Sequence, residues 1–396
     1  IGLSTLLNKG IQFFFLIYIS TFKSQDQFAL YIEFVLYTEI LAIMLAHGAN
    51  SSMLKGSLSE NIQLNLNISI FFVTLLAVIT SFLWPIISFK DLGELSIYIL
   101  IGSPIIALNS IHKTALISEK RLSRYSKSLR YSNLVLLFFP IFDIFILPLD
   151  IFNALTFLIL SQIASIFIMG YYPTDMYDAL RVKNIKKYLV SSMPFLVRNN
   201  LGSLTKNMGL LNISYSASVS SLSGYGLINK IADQVGQALS LLTIQIVPEL
   251  RDALQNSDKK NINQYVKVVL IVLLAFWLLS SLGCTLIFYG IAEINPQAWI
   301  LEFKYEAYIL SFALGLGFVK SNLASWEFLK SEHTGKIIII VEIGLMIIAF
   351  FTYSTLYDSL DTVGIALSYA LIQIINLIIH IVLFRFFRFR LSGAIK

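Results

Sequence analysis

The sequence is poor in the residues that keep a protein in water. Only 13% of its 396 residues are charged, about half the share of an ordinary soluble domain, and 57% are hydrophobic. A soluble fold of this length would lack the charge to coat its surface. Disorder, which requires low hydrophobicity, is excluded as well. The single cysteine, Cys284, rules out an intrachain disulfide, and it lies in an apolar run, where a thiol acts as a small hydrophobe. The four histidines, His47, His112, His333 and His380, are far apart and show no metal-ligand spacing. No G-x-x-x-x-G-K-[ST] loop is present to cradle nucleotide phosphates, no H-E-x-x-H occurs, and there is no nucleophile elbow. The expectation is a chain with no catalytic residue, metal or cofactor, and not an ATP-driven pump. The first apolar run lacks a small-residue cleavage site, so no cleavable signal peptide is read. Ile1 already stands inside that run, which predicts a short cytoplasmic leader ahead of it.

What the chain has in abundance is long apolar runs. Residues 61–89, 151–174, 268–292 and 362–384 contain no charge at all, and each is long enough to cross about 30 Å of hydrocarbon as a helix. They are too long and too uniformly apolar for barrel strands. Weaker spans complete an expected set of twelve helices: 3–22, 28–47, 64–88, 95–117, 131–149, 152–172, 190–212, 223–247, 266–290, 305–329, 337–357 and 363–384. The segments 190–212 and 223–247 are polar, and either both cross or both lie at the interface.

Loop charge supports twelve crossings. With the N-terminus in the cytoplasm, the loops 48–63, 118–130, 173–189, 248–265 and 330–336, the adjacent Lys267 and the tail hold 20 of the 29 Lys and Arg residues. The opposite side holds 3: Lys23, Lys90 and Lys304. Such asymmetry is the positive-inside pattern, and it places both termini in the cytoplasm. The net charge of +6 is thus read as orientation, and no nucleic-acid partner is expected.

The charged loop 174–187 divides the chain into two blocks of six helices, 1–188 and 189–396. Each block opens with a polar-interrupted helix, Thr5-Leu6-Leu7-Asn8-Lys9-Gly10 and Arg198-Asn199-Asn200-Leu201-Gly202. The second helices begin with Phe28-Ala29-Leu30-Tyr31 and Gly224-Tyr225-Gly226-Leu227. Two parallel repeats about an axis normal to the membrane leave this kind of trace; chance among apolar segments is the alternative.

Six cations fall within expected helices: Lys9, Lys113, Arg198, Lys206, Lys230 and Lys320. A central Lys or Arg costs at least ~2.5–3.5 kcal/mol on insertion scales, so such residues face the bundle interior or a wet cavity. Lys113, and Lys9 if its helix starts at Ile1, are close enough to a helix end to snorkel; Lys320 is mid-helix. On 190–212, Asn199, Gly202, Lys206 and Gly209 share a face, with Arg198 and Thr205 beside it, opposite Leu196, Leu204 and Leu211. On 223–247 the stripe is Lys230, Asp233, Gln234, Gln237 and Ser240. Both stripes are expected to face one aqueous cavity; the plainer reading of Lys230 and Asp233 is mutual neutralisation. Arg198 and Lys206 have no acid on their own helix, and pairing with an acid from another helix, such as Glu33 or Asp143, is the alternative. The embedded acids are Glu33, Glu39, Asp143, Asp233, Glu327 and Glu342. Glu33, Asp143 and Asp233 are candidates for ion coupling, set against simple ion pairing with a cation such as Lys9.

The opening Asn8-Lys9-Gly10-Ile11-Gln12-Phe13, then Phe28-Ala29-Leu30-Tyr31 and Gly48-Ala49, and the run from Gly224-Tyr225-Gly226 to Val247-Pro248-Glu249-Leu250 resemble the O-antigen and polysaccharide flippases (Wzx type) of the multidrug/oligosaccharidyl-lipid/polysaccharide (MOP) exporter superfamily. Ala29 stands where that family often has glycine. The resemblance implies an all-α integral membrane protein, two six-helix lobes around a central cavity in a MATE-like fold, in a bacterial inner membrane. It implies ion-coupled, alternating-access transport of an undecaprenyl-pyrophosphate-linked oligosaccharide, with membrane lipid and other polysaccharide assembly proteins as partners. Arg198, Lys206, Lys230 and Lys320 are the plausible equivalents of the family's cavity cations; Lys9, Asn199, Gln234 and Gln237 complete the expected substrate-binding set. A multidrug or cation antiporter shares the fold, but a cavity for cationic drugs favours acids. A polysaccharide polymerase is the enzyme alternative; such enzymes typically carry a large external loop, and the longest outside loop here is about 291–304.

Overall fold

Helix is the only backbone solution that satisfies its own polar groups in lipid along an open chain, and the computed structural model is helical throughout the residues it describes: 2–46, 48–55, 61–87, 92–170, 176–216, 218–244, 259–294, 298–313, 315–317 and 332–393. The helices are α1 (Gly2–Phe22), α2 (Gln25–Leu45), α3 (Ala49–Lys55), α4 (Ile62–Ile87), α5 (Leu95–Ser118), α6 (Leu122–Phe145), α7 (Ile151–Met169), α8 (Met176–Ala179), α9 (Val182–Ser216), α10 (Val219–Ile244) and α11 (Lys259–Ile294). A 3₁₀ turn, Ala298–Phe303, leads into α12 (304–313), and α13 spans Glu332–Gly393. Among the described residues, six helices are long and apolar enough to cross a membrane: α2, α4, α5, α6, α7 and the span Ile339–Val382 of α13. The fold is that of an all-α, multi-pass membrane protein.

The helices start and stop on local signals. Ser24 accepts a bond from the Gln27 N–H at 3.3 Å, ahead of an acid, Asp26, in the first turn of α2. Asp150 does the same for the Asn153 N–H at 2.9 Å, and α7 ends on left-handed Gly170. In α13 the helical path breaks at Asp361, with φ 53° and ψ −138°. Beyond it the chain folds back: Ser368 Oγ donates to the Thr352 carbonyl at 3.1 Å, and Gly364 lies so close that a Cβ there would stand 1.9 Å from the Leu356 oxygen. The expected helices 337–357 and 363–384 are the arms of this hairpin.

Several expected loops are largely helical. The basic stretch 118–130 contracts to Glu119–Arg121, where Lys120 takes φ 59° and the Arg121 N–H reaches back 2.8 Å to the Leu116 carbonyl; the rest is the first turns of α6. Likewise α9 begins at Val182 rather than 190, α11 begins at Lys259, and α3 occupies part of 48–63. Lys and Arg are good helix formers, so a run of them marks where lipid ends and not where the helix ends. Of the expected helix 305–329, residues 318–329 lie outside the described residues.

By packing, the chain divides into two compact units: Ile1–Asn207 with Ser214–Ser223, and Met208–Ile213 with Gly224–Lys396. At the centre of the first, α5 packs against α2, α3, α4, α6 and α7. The interior of that unit holds polar side chains, Asn67, Asn109, His112 and Asn133 among them, each no more than 2% exposed. Its outer surface carries Phe82 at 80% and Phe145 at 78% exposure. This is the reverse of a soluble protein, where large exposed apolar patches are rare. Between helices in lipid there is no hydrophobic driving force, so close packing and hydrogen bonds hold them together. Asn109 Nδ2 bonds Gln162 Oε1 between α5 and α7, and Ser69 Oγ meets Tyr188 OH at 2.7 Å between α4 and α9.

Gly48, with φ +76°, lets α3 enter against α9: a Cβ there would stand 2.4 Å from the Ser192 oxygen and 2.5 Å from the Leu196 nitrogen. Gly48→Ala combines left-handed strain with a backbone clash and is expected to destabilise the protein by roughly 2–5 kcal/mol. Thermal unfolding of the detergent-solubilised protein measures this, and an unchanged midpoint contradicts the packing described.

Candidate functional site

The polar helix α9 lies antiparallel to α2, and polar contacts join α2 to α9 at two levels and to the start of α10 at a third. Gln25 Nε2 donates to Ser220 Oγ, just past α9, at 3.1 Å. Ser214 Oγ donates to Glu33 Oε1 at 2.9 Å, with Tyr37 OH 3.4 Å from the same hydroxyl. Lys206 Nζ lies 3.6 Å from Glu39 Oε1. Residue numbers rise along α2 as they fall along α9, so the contacts form one seam. Beyond it, α3 is tied to α9 by Asn199 Nδ2 to Ser51 Oγ at 3.0 Å and by Ser52 Oγ to the Ser191 carbonyl at 3.2 Å. Ser223 Oγ closes the far end on the Gln25 carbonyl at 2.9 Å.

The seam accounts for part of the α9 stripe. Asn199 serves α3, and Lys206 finds its counter-ion, Glu39, on α2; Glu33 is buried at 5% exposure. The other part is open. Among the described residues nothing stands within 4 Å of where a Cβ on Gly202 would be, and Arg198, one turn before it, is half-buried. The Lys206 side chain, one turn after, is 32% exposed. Arg198, Gly202 and Lys206 follow one another on α9 at spacings of four residues, each of them partly exposed.

Asp143 and Lys9 sit elsewhere in the same unit. Asp143, in the last turn of α6, accepts from Lys23 Nζ at 2.5 Å, Tyr18 OH at 2.7 Å and the Leu149 N–H at 2.6 Å. Lys23 also donates to the Leu149 carbonyl at 2.8 Å and lies over the Phe139 ring. Lys23, which loop position alone sets outside the membrane, is buried at 8% exposure, because the C-terminal ends of α1 and α6 meet around it. Lys9 Nζ donates to Gln12 Oε1 at 3.0 Å, and Gln12 Nε2 is 3.5 Å from Asn133 Oδ1.

In the second unit, Lys230 and Asp233 pair at 3.8 Å and are each 6% exposed; Gln234 beside them is half-buried. The side chain of Gln237, and Lys320 altogether, lie outside the described residues. A second acid, absent from the sequence reading, belongs to this interior. Glu306, at 3% exposure, accepts from Thr362 Oγ1 at 2.6 Å. Its other oxygen is buried without a hydrogen-bond donor, as is the hydroxyl of Tyr353. Tyr225 is within electrostatic reach of Glu306, Asp233 and Tyr369, and Tyr353 of Tyr225 and Tyr369. Glu306 escaped notice because it stands beside an expected loop, and its partner Thr362 is 56 residues away. Among the described residues no group of three or more His, Cys, Asp or Glu is placed to hold a metal ion.

The sequence matches no protein-family model and no curated protein. Solved structures do match over its whole length. The inward-facing conformation of a multidrug resistance MATE family transporter of the MOP superfamily has a TM-score of 0.71 at 13% identity, covering 100% of this chain and 96% of that one. The Vibrio cholerae MATE transporter VcmN, as a point mutant, gives 0.68 at 14%, covering 97% and 94%. A MOP superfamily transporter from Pyrococcus furiosus, described as having a binding pocket of reverse polarity that suggests a different function, gives 0.63 at 14%, covering 100% and 95%. At such identities the likeness is one of fold: the chain has the MATE-type fold.

The closure of bonds around Asp143 gives a stability test. Asp143→Asn leaves Lys23 buried without its charge partner and is expected to destabilise by about 3–5 kcal/mol. Replacing both, as Lys23→Met with Asp143→Leu, should recover most of the loss. Denaturant unfolding in detergent reads both variants; full stability in Asp143→Asn with transport abolished would instead assign the carboxylate to coupling.

Proposed function

We propose that this chain is a secondary transporter working by alternating access, with an anionic, lipid-linked oligosaccharide as its cargo. The observation that carries transport is the MATE-type fold over the full length of the chain. The cargo reading rests on residue type: Arg198 and Lys206 stand one turn either side of Gly202 on α9, and Arg and Lys are the side chains that suit a pyrophosphate or acidic sugar. Lys9, Lys230 and Lys320 are the further cations of this proposal, with Asn199, Gln234 and Gln237 as polar neighbours. The undecaprenyl carrier, the bacterial inner membrane, cytoplasmic termini and contact with other polysaccharide assembly proteins belong to the same proposal. So does membership of the Wzx-type flippases.

A second reading is a multidrug antiporter. It is favoured by the neighbours, which include a multidrug resistance transporter. The Pyrococcus furiosus neighbour, with its reversed pocket polarity, supports treating substrate charge as variable within this fold.

In the proposed cycle, lobes 1–188 and 189–396 move against each other; α9 belongs to the second lobe by sequence while its seam residues pack with the first unit, so the cycle requires the α2–α9 seam to open at one end at a time. Glu306, one of whose oxygens has no hydrogen-bond partner among the described residues, joins Glu33, Asp143 and Asp233 as a candidate coupling group of this proposal.

Two experiments test the proposal. In proteoliposomes, fluorescent undecaprenyl-linked oligosaccharide should cross the bilayer, and Arg198→Ala should slow it tenfold or more, from the loss of charge-assisted bonds of about 1.5–3 kcal/mol each, with Arg198→Lys only partly restoring the rate. Counter-transport of a cationic drug with no movement of the oligosaccharide would establish the second reading. Separately, short thiol cross-links between Gln25→Cys and Ser220→Cys, or between Ser51→Cys and Asn199→Cys, should each stop transport in a Cys284→Ser background. Undiminished transport in a fully cross-linked sample contradicts opening of the seam.

A further inference from the structure

One exposed face of α6 changes character along its length. Arg124 and Lys127 are exposed at its start. Tyr131 follows at 52% exposure, then Leu134 at 41%, Phe138 at 49%, Ile141 at 47% and Phe145 at 78%. At 3.6 residues per turn these seven positions fall within a sector of about 100°. They form one stripe on the outer surface of the first unit: cationic, then aromatic, then apolar.

The spacing matches the layers of a bilayer. Tyr131 lies about 6 Å below Lys127 and ~10 Å below Arg124 along the axis, comparable with the polar layer on each side of the hydrocarbon, which is roughly 5–8 Å thick. Tyrosine prefers that boundary. The apolar positions from Leu134 onward continue to the far end of the helix, next to the chains of the lipid. The cations are not neutralised locally: α6 has no acid between Leu122 and Phe142, and the nearby Glu119 pairs with Arg121 at 3.0 Å. Among the described residues neither Arg124 nor Lys127 has an acidic partner. The Arg124 guanidinium does sit beside the end of α7, where a Cβ on Gly170 would be 3.2 Å from its Nη2; a cation there also favours the helix dipole.

We propose that this stripe is a binding site for an anionic phospholipid, its phosphate held by Arg124 and Lys127, its glycerol level with Tyr131, and one acyl chain along Leu134, Phe138 and Ile141. The site is separate from the cargo positions proposed above, since it lies on α6 and not on α9. It would tie the orientation of the chain to the leaflet that is richer in anionic lipid, by a specific contact added to the general attraction of basic loops.

The test uses the full chain in bilayer discs of equal phosphatidylglycerol and phosphatidylcholine, followed by mass spectrometry of the intact protein with its retained lipid. Phosphatidylglycerol should be retained in preference, and the preference should fall on the order of fivefold for each cation removed in Arg124→Gln and Lys127→Gln, while Arg124→Lys keeps it. A second measurement locates the lipid: in Tyr131→Trp, brominated phosphatidylglycerol should quench the added tryptophan more than brominated phosphatidylcholine does. No preference in the parent, equal quenching by the two lipids, or a preference that survives in the double variant would each overturn the site. A lowered melting point with the preference intact would show that Arg124 serves only the end of α7.

Discussion

Every polar group placed inside a bilayer has to find its partner within the protein, and the rest of this structure depends on that constraint. It makes the chain helical, since a helix satisfies its backbone internally. It also sorts the side chains. Serines and threonines bond back to their own helices, as Thr38 does to the Phe34 carbonyl at 2.6 Å and Ser103 to that of Ile99 at 2.6 Å. Amides cross between helices, as Asn109 does to Gln162. Charges pair, as Lys23 does with Asp143. What remains for the outside is Phe, Leu and Ile.

The α2–α9 seam is where this constraint meets the proposed movement. Its contacts are few, one per two turns or so, and mostly involve hydroxyls or a half-exposed ion pair. In water, net contributions of this kind are on the order of 1 kcal/mol each, and interhelical hydrogen bonds in membranes average about 0.6 kcal/mol. A seam of that strength holds two helices in register, yet it separates one level at a time for a small free energy whenever water reaches the freed groups. The Lys23–Asp143 cluster is built the other way. Its four bonds converge on one buried carboxylate and one buried ammonium, so it fixes the ends of α1 and α6 instead of letting them part.

The fold was legible in the sequence to the extent that apolar run length reports lipid. Positions 61–89 and 151–174 read as helices and are α4 and α7, and the turn between the arms of α13 falls where the expected helices left a gap. Helix ends were less legible, since Arg124, Lys127 and Lys183 mark the limit of hydrocarbon while the helix runs on. Pairings were least legible. Lys206 with Glu39, Glu33 with Ser214 and Glu306 with Thr362 join residues more than 50 positions apart, and no local pattern encodes which helices become neighbours. Lys230 with Asp233 is the exception because it lies within one turn.

The same constraint explains why a polar stripe on a membrane helix is ambiguous by nature. Amphipathicity in lipid states only that one face avoids the hydrocarbon. Another polar helix satisfies that requirement as well as an aqueous path does. Asn199 and Lys206 are met by α3 and α2, whereas the space beside Gly202 is open. Under the proposed transport reading, the positions of α9 assigned to cargo narrow from the whole stripe to Arg198, the backbone at Gly202 and the exposed third of Lys206.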